Sequence, residues 1–458
     1  MSKRTISPAA PDARSLALDI LSEAQPRGRW VEDLLAAALK RHVGLPSQER
    51  ALLLELVQGV KRWELRLDWL LSQVSHLPLK KLHPLVLNIL RLAAFQVLML
   101  DRVPARAALH EAGNQAKARG LPQAHVWFIN AVLRRLAAGD LPPAPTLEED
   151  PVLALSLATA HPAWLVQRWL ARRGLKATQA ALTANNRIPP LTIRVNTLKT
   201  DLRSLAARLA HEGVQAAPCR FSAVGLQLVA FEASPVDTPS YREGLWLFQD
   251  EAAQLVTGLL GARPGQRLVE IGAGRGGKTT QLAEAMNDQG LIVALDNHRR
   301  RLKEARLNLK RWGVSVAQPV LADATRPLPL KKNSFDAALL DAPCSALGIL
   351  RRHPEIKTRL KEADLDTFPP RQMAMLKRAA LVLRPGGRLL YITCTTEPEE
   401  NEGLINTFLE AHPQFHLHTD PQRLPAVAQF LVQPPGFFKS CPETHDLDNF
   451  FATVLVKE

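Results

Sequence analysis

The sequence predicts a multidomain protein in which an all-α domain, a small α+β module and a doubly wound α/β domain follow one another. Up to about Ala138, apolar residues recur at three-to-four spacing, which is typical of amphipathic helices. The proline-rich stretch GDLPPAPTLEEDP then indicates a linker. From Phe248 onward, strand-like segments alternate with helical ones, as in a parallel sheet with crossover helices. We therefore expect domains over residues 1–140, 150–245 and 246–458.

Each predicted domain has its own pattern. The helical segments of the first are ALDILSEA, WVEDLLAAALKRHV, QERALLLELVQGVKRWELRLDWLLSQV, LVLNILRLAAFQVLML, ALHEAGNQAKARG and AHVWFINAVLRRLAAG. In the second, HPAWLVQRWLARRG and TDLRSLAARLAHEGV are helix-like, whereas LTIRVNT and VGLQLVAF alternate like short strands. The strands of the third are RLVEI, LIVALD, SVAQPVLAD, FDAALLDA and GRLLYITC. The carboxyl ends of these strands should lie along one edge of the sheet.

The charge of the chain predicts an anionic partner. Its 458 residues include 58 Lys and Arg against 44 Asp and Glu, a formal net charge of +14. The first 140 residues contain 20 of the basic and 12 of the acidic residues, so more than half of the excess lies there. An excess of this size favours nucleic acid or an anionic membrane surface as partner and does not bear on the fold.

Neither a membrane span nor a metal site is predicted. The segment MSKRTISPAAPDARSL lacks the apolar core of a signal peptide. The longest apolar stretch, residues 84–100, contains Asn88, Arg91 and Gln96, which favour a mostly buried helix over a membrane span. No CxxC pair occurs, so we expect neither a disulfide framework nor a structural zinc site, and we expect a cytoplasmic protein. The four cysteines are Cys219, Cys344, Cys394 and Cys441.

A glycine-rich loop follows the first strand of the α/β domain, in EIGAGRGGKTTQLAEAM. It fits the dinucleotide pattern GxGxxG and also, from Gly272 to Thr279, the triphosphate pattern GxxxxGK[ST]. AALLD, which ends at Asp341, is the magnesium-binding strand that a phosphate-loop ATPase would need. An S-adenosylmethionine loop is a third interpretation. All three place glycines at a strand-to-helix turn, so the loop alone does not decide between them.

The residues that follow the other strands favour the third interpretation. In an open parallel sheet, ligands bind outside the carboxyl ends of the strands. There the sequence places Asp296, Asp323 and Asp341, together with Cys394. Several anionic groups suit a cationic sulfonium with a ribose and an adenine amine better than a triphosphate. Asp296 would accept hydrogen bonds from the ribose and Asp323 from the adenine amine, although each alone is equally well explained as a capping or turn residue.

Two cysteines end neighbouring strands of the predicted sheet. Cys344 lies in LLDAPCSALGILRRHPEIK and Cys394 in LLYITCTTEPEENE, so we expect them side by side. A thiolate is a strong nucleophile when a cation or a helix terminus lowers its pKa. Lys278, Arg351 and Arg352 are the cations that we expect to provide this field.

These motifs resemble those of the RNA cytosine-5 methyltransferases of the Sun family. The resemblance rests on DAPCS followed by RRHPEIK, on TC followed by EPEEN, on GGKT in the glycine loop, and on RVNTLKT and FQDEAAQLV. The amino-terminal domain is similar to NusB, an arrangement found in the members that methylate bacterial 16S ribosomal RNA. The resemblance covers nearly the whole chain and implies a Rossmann-like methyltransferase domain, S-adenosylmethionine as cofactor and 16S ribosomal RNA as partner. Independently of the resemblance, we expect a monomer.

The resemblance also implies roles for individual residues. Cys394 is the nucleophile that attacks C6 of the target cytosine, and Cys344 assists release of the methylated product. Asp341 contacts the base edge and holds N3 protonated, with Lys278 assisting. The residues implied in cofactor binding are Gly272, Ala273, Gly274, Arg275, Gly276, Gly277, Lys278, Asp296, Arg301, Asp323 and Asp341.

One departure from the family concerns the glycine loop. Relatives usually have Ala-Pro before GGKT, where this chain has Gly274 and Arg275, and Gly272 replaces a common cysteine. Arg275 thus places a cation near a cationic cofactor unless its side chain points to solvent or RNA.

RNA recognition requires cations for the phosphates and planar groups for unpaired bases. The candidates beside the catalytic loop are Arg351, Arg352 and His353, and the candidates of the helical domain are Lys61, Arg62, Arg134 and Arg135. For each of them alone, an ordinary surface charge is a better explanation than an RNA contact. Two other functions remain open from the residues, namely a phosphate-loop ATPase and a catalytically inert RNA-binding assembly protein.

Overall fold

The computed structural model describes residues 12–139 and 141–458. The chain forms two units. We call the first the helical unit: it contains the chain up to Arg187 together with Leu350–Leu360. The second, the α/β unit, contains Ile188–Ile349 and Lys361–Glu458.

The helical unit is built on helices that pack apolar faces around a common core. Gly59 of the longest helix faces Phe95, and a Cβ atom at this glycine would lie 2.0 Å from the Phe95 ring, so the two helices approach as closely as they do because a side chain is missing. The helices are α1 (Ala13–Arg27), α2 (Val31–Arg41), α3 (Ser47–Val74), α4 (Pro84–Met99), α5 (Ala105–Ala118), α6 (Gln123–Ala138), α7 (Pro151–Thr159) and α8 (Ala163–Ala184).

The apolar stretch at residues 84–100 forms the buried helix α4, as predicted. Arg91, which interrupts this stretch, is buried and donates to both carboxylate oxygens of Asp68, at 2.7 and 2.6 Å, and lies 2.8 Å from Glu64. A buried guanidinium is tolerated when carboxylates pair with it in this way. No helix of the described residues is long and apolar enough to cross a membrane.

The small module of the α/β unit is an antiparallel sheet covered by a helix. The elements are β1 (Leu191–Val195), α9 (Leu202–His211), β2 (Val214–Pro218), β3 (Gly225–Phe231), α10 (Pro239–Arg242) and β4 (Trp246–Phe248). The strands lie in the order β2-β3-β1-β4. The core of the module contains Ile193, Leu205, Leu226 and the fully buried Trp246.

The remainder of the α/β unit is a doubly wound sheet. The strands are β5 (Arg267–Ile271), β6 (Leu291–Asp296), β7 (Ala317–Leu321), β8 (Phe335–Asp341), β9 (Leu383–Thr393), β10 (Phe415–Leu417), β11 (Val432–Gln433), β12 (Phe437–Lys439) and β13 (Phe451–Lys457). The parallel part of the sheet has the order β7-β6-β5-β8-β9, so the strand order reverses between β5 and β8, where ligands bind in such sheets. The helices are α11 (Glu251–Gly258), α12 (Gly277–Ala285), α13 (Arg299–Trp312), α14 (Ile356–Arg359), α15 (Phe368–Val382), α16 (Glu402–Ala411) and α17 (Pro442–His445).

The predicted fold class and all predicted strands of this sheet are confirmed, with one addition. The strand β13 pairs antiparallel with β9, and β12 and β10 pair with β13, which makes the sheet mixed. FFK and VQ are too short to show an alternation, whereas the seven-residue apolar segment FATVLVK of β13 could have been recognised as a strand and was missed.

The segment 350–360, which contains α14, belongs to the helical unit although it interrupts the α/β unit in sequence. Its buried Lys357 donates to Asn186 Oδ1 at 2.6 Å and lies 3.3 Å from the Arg62 carbonyl. Glu355 accepts a hydrogen bond from the Val31 amide at 2.9 Å. The segment 350–360, which follows the DAPCS motif in sequence, is therefore held within the helical unit by polar contacts.

Arg194 of β1 attaches the small module to the helix that follows the glycine loop. Its guanidinium is fully buried and donates to Thr280 Oγ1 at 2.6 Å and Glu284 Oε1 at 2.8 Å. The same Glu284 oxygen accepts from Trp312 Nε1 at 2.8 Å. The RVNT motif thus supplies the cation that a buried carboxylate of α12 requires.

Replacing Arg194 with Met is expected to lower the free energy of unfolding by about 3 kcal/mol, because Glu284 is left buried without its cation. Urea unfolding of the full-length protein, followed by circular dichroism, measures this change. Arg203→Met, at an exposed position of α9, is the matched control and should change stability by no more than about 0.5 kcal/mol. Equal losses in the two variants would contradict the role given to Arg194.

Candidate active site

The glycine loop lies against the end of β8 because Gly272 lacks a side chain. Gly272 has a φ of +85°, and a Cβ atom there would lie 2.4 Å from the Asp341 carbonyl oxygen. Any other residue would push the loop away from the strand. Gly276, at a φ of +85°, precedes the first turn of α12. The loop therefore brings Lys278 next to the carboxyl end of β8.

Asp296 fastens the loop to the end of β6. It is largely buried, and it accepts hydrogen bonds from the Gly274 amide at 2.9 Å and the His298 amide at 2.7 Å. The structure thus shows the turn-stabilising role that we considered for this aspartate, and it places the carboxylate beside the loop.

Arg275 points away from the loop that it belongs to. Its Nε donates to Glu304 Oε2 of α13 at 2.8 Å, and its carbonyl accepts from Asn308 Nδ2 at 2.9 Å. An ion pair with Glu304 offsets the extra cation of the loop, which explains how this chain tolerates an arginine where relatives have proline.

Two predicted cofactor residues are less closely tied to the loop. Asp323 is half-exposed and accepts hydrogen bonds from the Thr325 amide at 3.0 Å and its hydroxyl at 2.7 Å. These hydrogen bonds lower the pKa of Asp323, as expected of a turn residue. Arg301 is exposed on α13.

Lys278 forms an ion pair with Asp341. Its Nζ lies 2.7 Å from Asp341 Oδ2 and 5.9 Å from the centre of the Phe450 ring. Burial opposes the charge of Lys278, but the Asp341 carboxylate, together with Glu270 and Cys394, outweighs burial, so the pKa of Lys278 is raised above its ordinary value. The lysine is committed to a protein carboxylate, unlike the phosphate-directed lysine of a triphosphate loop.

Glu270 of β5 is a buried group that the sequence prediction missed. Burial raises the pKa of Glu270 to about 7, with Lys278 acting in the opposite direction and Asp341 and Asp296 adding to the rise. Its Oε2 has no hydrogen-bond partner among the described residues. The signal in the sequence was a glutamate inside the apolar strand RLVEI, directly before the glycine loop.

The two cysteines lie side by side, as their positions at neighbouring strand ends predicted. Their Sγ atoms are 3.4 Å apart, and the Cys394 amide lies 3.4 Å from Cys344 Sγ. The hydrogen bond with Cys344, together with burial, raises the pKa of Cys394 well above its ordinary value, while Lys278 acts to lower it. Cys394 is thus a thiol whose charge depends on its immediate neighbours.

Glu400 holds the loops that carry the two cysteines. It accepts hydrogen bonds from the Ser345 amide at 3.0 Å and from Gln372 Nε2 at 2.8 Å, and its carbonyl accepts from the Tyr391 hydroxyl at 2.8 Å. Ser345 Oγ also lies 2.6 Å from Thr395 Oγ1. The EPEEN motif therefore joins the DAPCS loop to the TC loop through a buried carboxylate.

Gly348 completes the packing of these loops. A Cβ atom at Gly348 would lie 2.4 Å from the Asn449 carbonyl and 2.7 Å from the Cys394 carbonyl. Its own amide donates to the Cys394 carbonyl at 2.9 Å. The close contact fixes the backbone of the TC motif.

Several residues predicted to contact RNA are buried or half-buried in the helical unit. Arg351 is 1% exposed and Arg62 is 8% exposed, and Arg62 Nη2 donates to the Arg351 carbonyl at 2.7 Å. Neither guanidinium is presented at the surface, because the segment 350–360 packs among the helices. His353 is half-buried and lies 3.2 Å from Glu32, and Arg352 is half-buried as well.

The other candidates of the helical unit are closer to the surface. Arg134 and Arg135 are exposed on α6, and Arg135 donates to the Val74 carbonyl at 2.7 Å. Lys61 is half-buried and pairs with Glu64. The described residues contain no cluster of three or more His, Cys, Asp or Glu side chains that could hold a metal ion.

Comparison with protein families identifies all three segments of the chain. Residues 257–456 match the model of the 16S rRNA methyltransferase RsmB/F family. Residues 11–138 match the NusB family, and residues 161–234 match the ferredoxin-like domain of RsmF/B-like methyltransferases.

Solved structures share the fold. The crystal structure of a protein named PH0851 superposes with a TM-score of 0.82 at 25% identity and covers 98% of this chain and 99% of its own. A methyltransferase homologue from Pyrococcus horikoshii has a TM-score of 0.57 at 27% identity and covers 68% of this chain and 99% of its own.

Relatives match over nearly their whole length. The probable ribosomal RNA small subunit methyltransferase B of Bacillus subtilis is 31% identical over 97% of this chain and 98% of its own. The probable ribosomal RNA small subunit methyltransferase B of Synechocystis is 33% identical over 97% of this chain and 99% of its own. The ribosomal RNA small subunit methyltransferase B of Escherichia coli is 32% identical over 97% of this chain and 98% of its own. The chain therefore belongs to the RsmB family of S-adenosylmethionine-dependent ribosomal RNA methyltransferases.

Proposed function

We propose that this enzyme methylates C5 of a cytosine in 16S ribosomal RNA through a covalent bond between Cys394 and C6 of the base. The observation that carries the proposal is the pair of thiols 3.4 Å apart at the ends of β8 and β9. One thiol can add to the base while the second assists its release, and a methyltransferase acting on an exocyclic amine or a ribose hydroxyl needs neither.

The residues around the glycine loop fit S-adenosylmethionine. The backbone of residues 272–277 would approach the cofactor at the switch point of the sheet, with Asp296 beside it. The carboxyl groups of Glu270 and Asp341 at the same strand ends suit a cationic ligand, and Arg275 is neutralised by Glu304. Asp323 and Arg301 are the proposed outer contacts. When bound, S-adenosylmethionine supplies an electrophilic methyl group.

The chemistry requires a nucleophile because C5 of cytosine is itself weakly nucleophilic. The thiolate of Cys394 adds to C6 and the electron pair of the C5–C6 bond moves toward N3, which makes C5 enamine-like. Asp341, held by Lys278, faces the base edge and stabilises the proton at N3. After C5 is methylated, its proton is released to water, the electron pair left behind restores the C5–C6 double bond, and the C6–S bond breaks to free Cys394; Cys344 assists this elimination.

The sequence left two alternative functions open, a phosphate-loop ATPase and an inert RNA-binding assembly protein. The phosphate-loop ATPase is wrong, because the chain belongs to a methyltransferase family and Lys278 is paired with Asp341. An inert assembly protein is opposed by the site itself, in which both cysteines and the ion pair are assembled in reach of one another. A cytoplasmic, monomeric enzyme without metal remains our prediction.

Cys394→Ala is expected to lower methyl transfer to unmethylated 16S RNA by on the order of 1,000-fold or more, because the nucleophile is lost. Bisulfite sequencing measures the transfer, since it leaves methylated cytosines unconverted. Cys344→Ala is expected instead to accumulate a covalent protein–RNA adduct, because elimination of Cys394 from the methylated base is slowed.

Cys219→Ala, in the small module, is the control and should behave like the unmodified enzyme. The adduct appears as a slowly migrating band on a denaturing gel. An adduct formed by Cys394→Ala and lost in Cys344→Ala would reverse the two roles.

The rate of adduct formation should rise with pH. Because the hydrogen bond with Cys344 and burial raise the pKa of Cys394, the reactive thiolate becomes more abundant as the pH approaches that raised value. Cys344→Ala removes the leading cause, so its pH profile should be displaced toward lower pH. Adduct formation on RNA containing 5-fluorocytidine, measured between about pH 6 and 9, tests both expectations. Superimposable profiles of the two proteins would show that Cys344 does not control the charge of Cys394.

A further inference from the structure

The helix α13 contains an unusual concentration of positive charge. Its 14 residues, RRRLKEARLNLKRW, include seven basic residues and one acidic residue. The net charge of the whole chain is +14, so this helix accounts for a large part of the excess. The first 140 residues are therefore not the only basic part of the molecule.

Four of the seven cations of α13 are aligned along one side of the helix. Leu302, Ala305, Leu309 and Trp312 are buried against the sheet. Another side carries exposed cations at intervals of four, three and four residues, the spacing that lines up side chains along a helix. We call these residues the basic stripe, which consists of Arg299, Lys303, Arg306 and Lys310.

The stability of the helix does not account for the basic stripe. Arg299, Arg300 and Arg301 occupy the first turn, where the positive end of the helix dipole disfavours cations. Like charges four residues apart repel one another as well, each pair by about 0.2–0.5 kcal/mol. The one carboxylate of the helix, Glu304, is already shared by Arg275 and Arg300. An external anion is the partner that compensates such an arrangement.

The basic stripe begins at the edge of the sheet that carries the candidate site. Helix α13 follows β6, whose last residue, Asp296, binds the glycine loop. Asn308 of α13 also donates to the Arg275 carbonyl of that loop. From Arg299 to Lys310 the stripe extends about 16 Å along the helix axis. One strand of a nucleic-acid duplex presents about five phosphates over this length.

We propose that the basic stripe binds the phosphate backbone of the substrate RNA beside the target nucleotide. This inference rests on the proposed function, because it takes the RNA substrate from there, and it adds a contact surface in the α/β unit. The interaction is with phosphates, so it contributes affinity and register and carries no base specificity.

The test compares two variants that lose the same charge. The first replaces the stripe with glutamine, as Arg299→Gln, Lys303→Gln, Arg306→Gln and Lys310→Gln. The matched control replaces four exposed cations elsewhere in the α/β unit, as Arg203→Gln, Arg242→Gln, Lys331→Gln and Lys332→Gln. RNA affinity is measured in the full-length protein over a range of salt concentrations, with a fragment of unmethylated 16S RNA. Calorimetric binding of S-adenosylmethionine monitors the integrity of the fold.

The stripe variant should bind RNA on the order of tenfold or more weakly at low salt, and its plot of log affinity against log salt should be shallower by about 3, as expected for four lost phosphate contacts. The control variant should retain the slope of the unmodified protein, and both should bind S-adenosylmethionine normally. An unchanged slope in the stripe variant, or an equal loss in the control, would overturn the proposal. If stripe-dependent binding is found but no cytosine is methylated, the proposed function fails and the RNA surface stands.

Discussion

The ion pair between Lys278 and Asp341 is the interaction on which the candidate site depends. It joins the first turn of α12 to the end of β8, across the position where the strand order of the sheet reverses. Because Lys278 is largely removed from water, its charge depends on the carboxylate of Asp341. The pair fixes the carboxyl group that we propose for the base edge, and it acts on the pKa of Cys394 from two sides, since Asp341 raises that pKa and Lys278 lowers it.

Buried carboxylates organise the surroundings of this pair. Glu284 receives Arg194 from the small module, and Glu400 receives the amide of Ser345 from the loop that carries Cys344. Each is a charge that burial would make unfavourable without its donors, so the donors are held in place as firmly as the carboxylates. The RVNT motif therefore supplies the cation for one buried carboxylate beside the glycine loop, and the EPEEN motif supplies a second buried carboxylate between the loops that carry the two cysteines.

The sequence was sufficient to predict the strands β5 to β9 and the meeting of Cys344 with Cys394, because the carboxyl ends of parallel strands share an edge. Properties that depend on tertiary packing were not predictable. The sequence predicted that Arg351 is an exposed cation beside a catalytic motif. It is buried instead, because the segment 350–360 packs into the helical unit. The contact of Arg275 with Glu304 joins residues from different elements, and no local pattern encodes it.

We propose that the enzyme attaches the methyl group to C5 of cytosine by way of a covalent bond between Cys394 and C6. The most direct measurement uses 16S RNA that carries tritium at C5 of its cytidines, incubated with the enzyme and S-adenosylmethionine. A new C5–methyl bond requires the C5–hydrogen bond to break, so tritium should appear in water in amounts equal to the methyl groups transferred. Methyl transfer with tritium retained in the RNA would contradict attachment at C5 and, with it, the role proposed for Cys394.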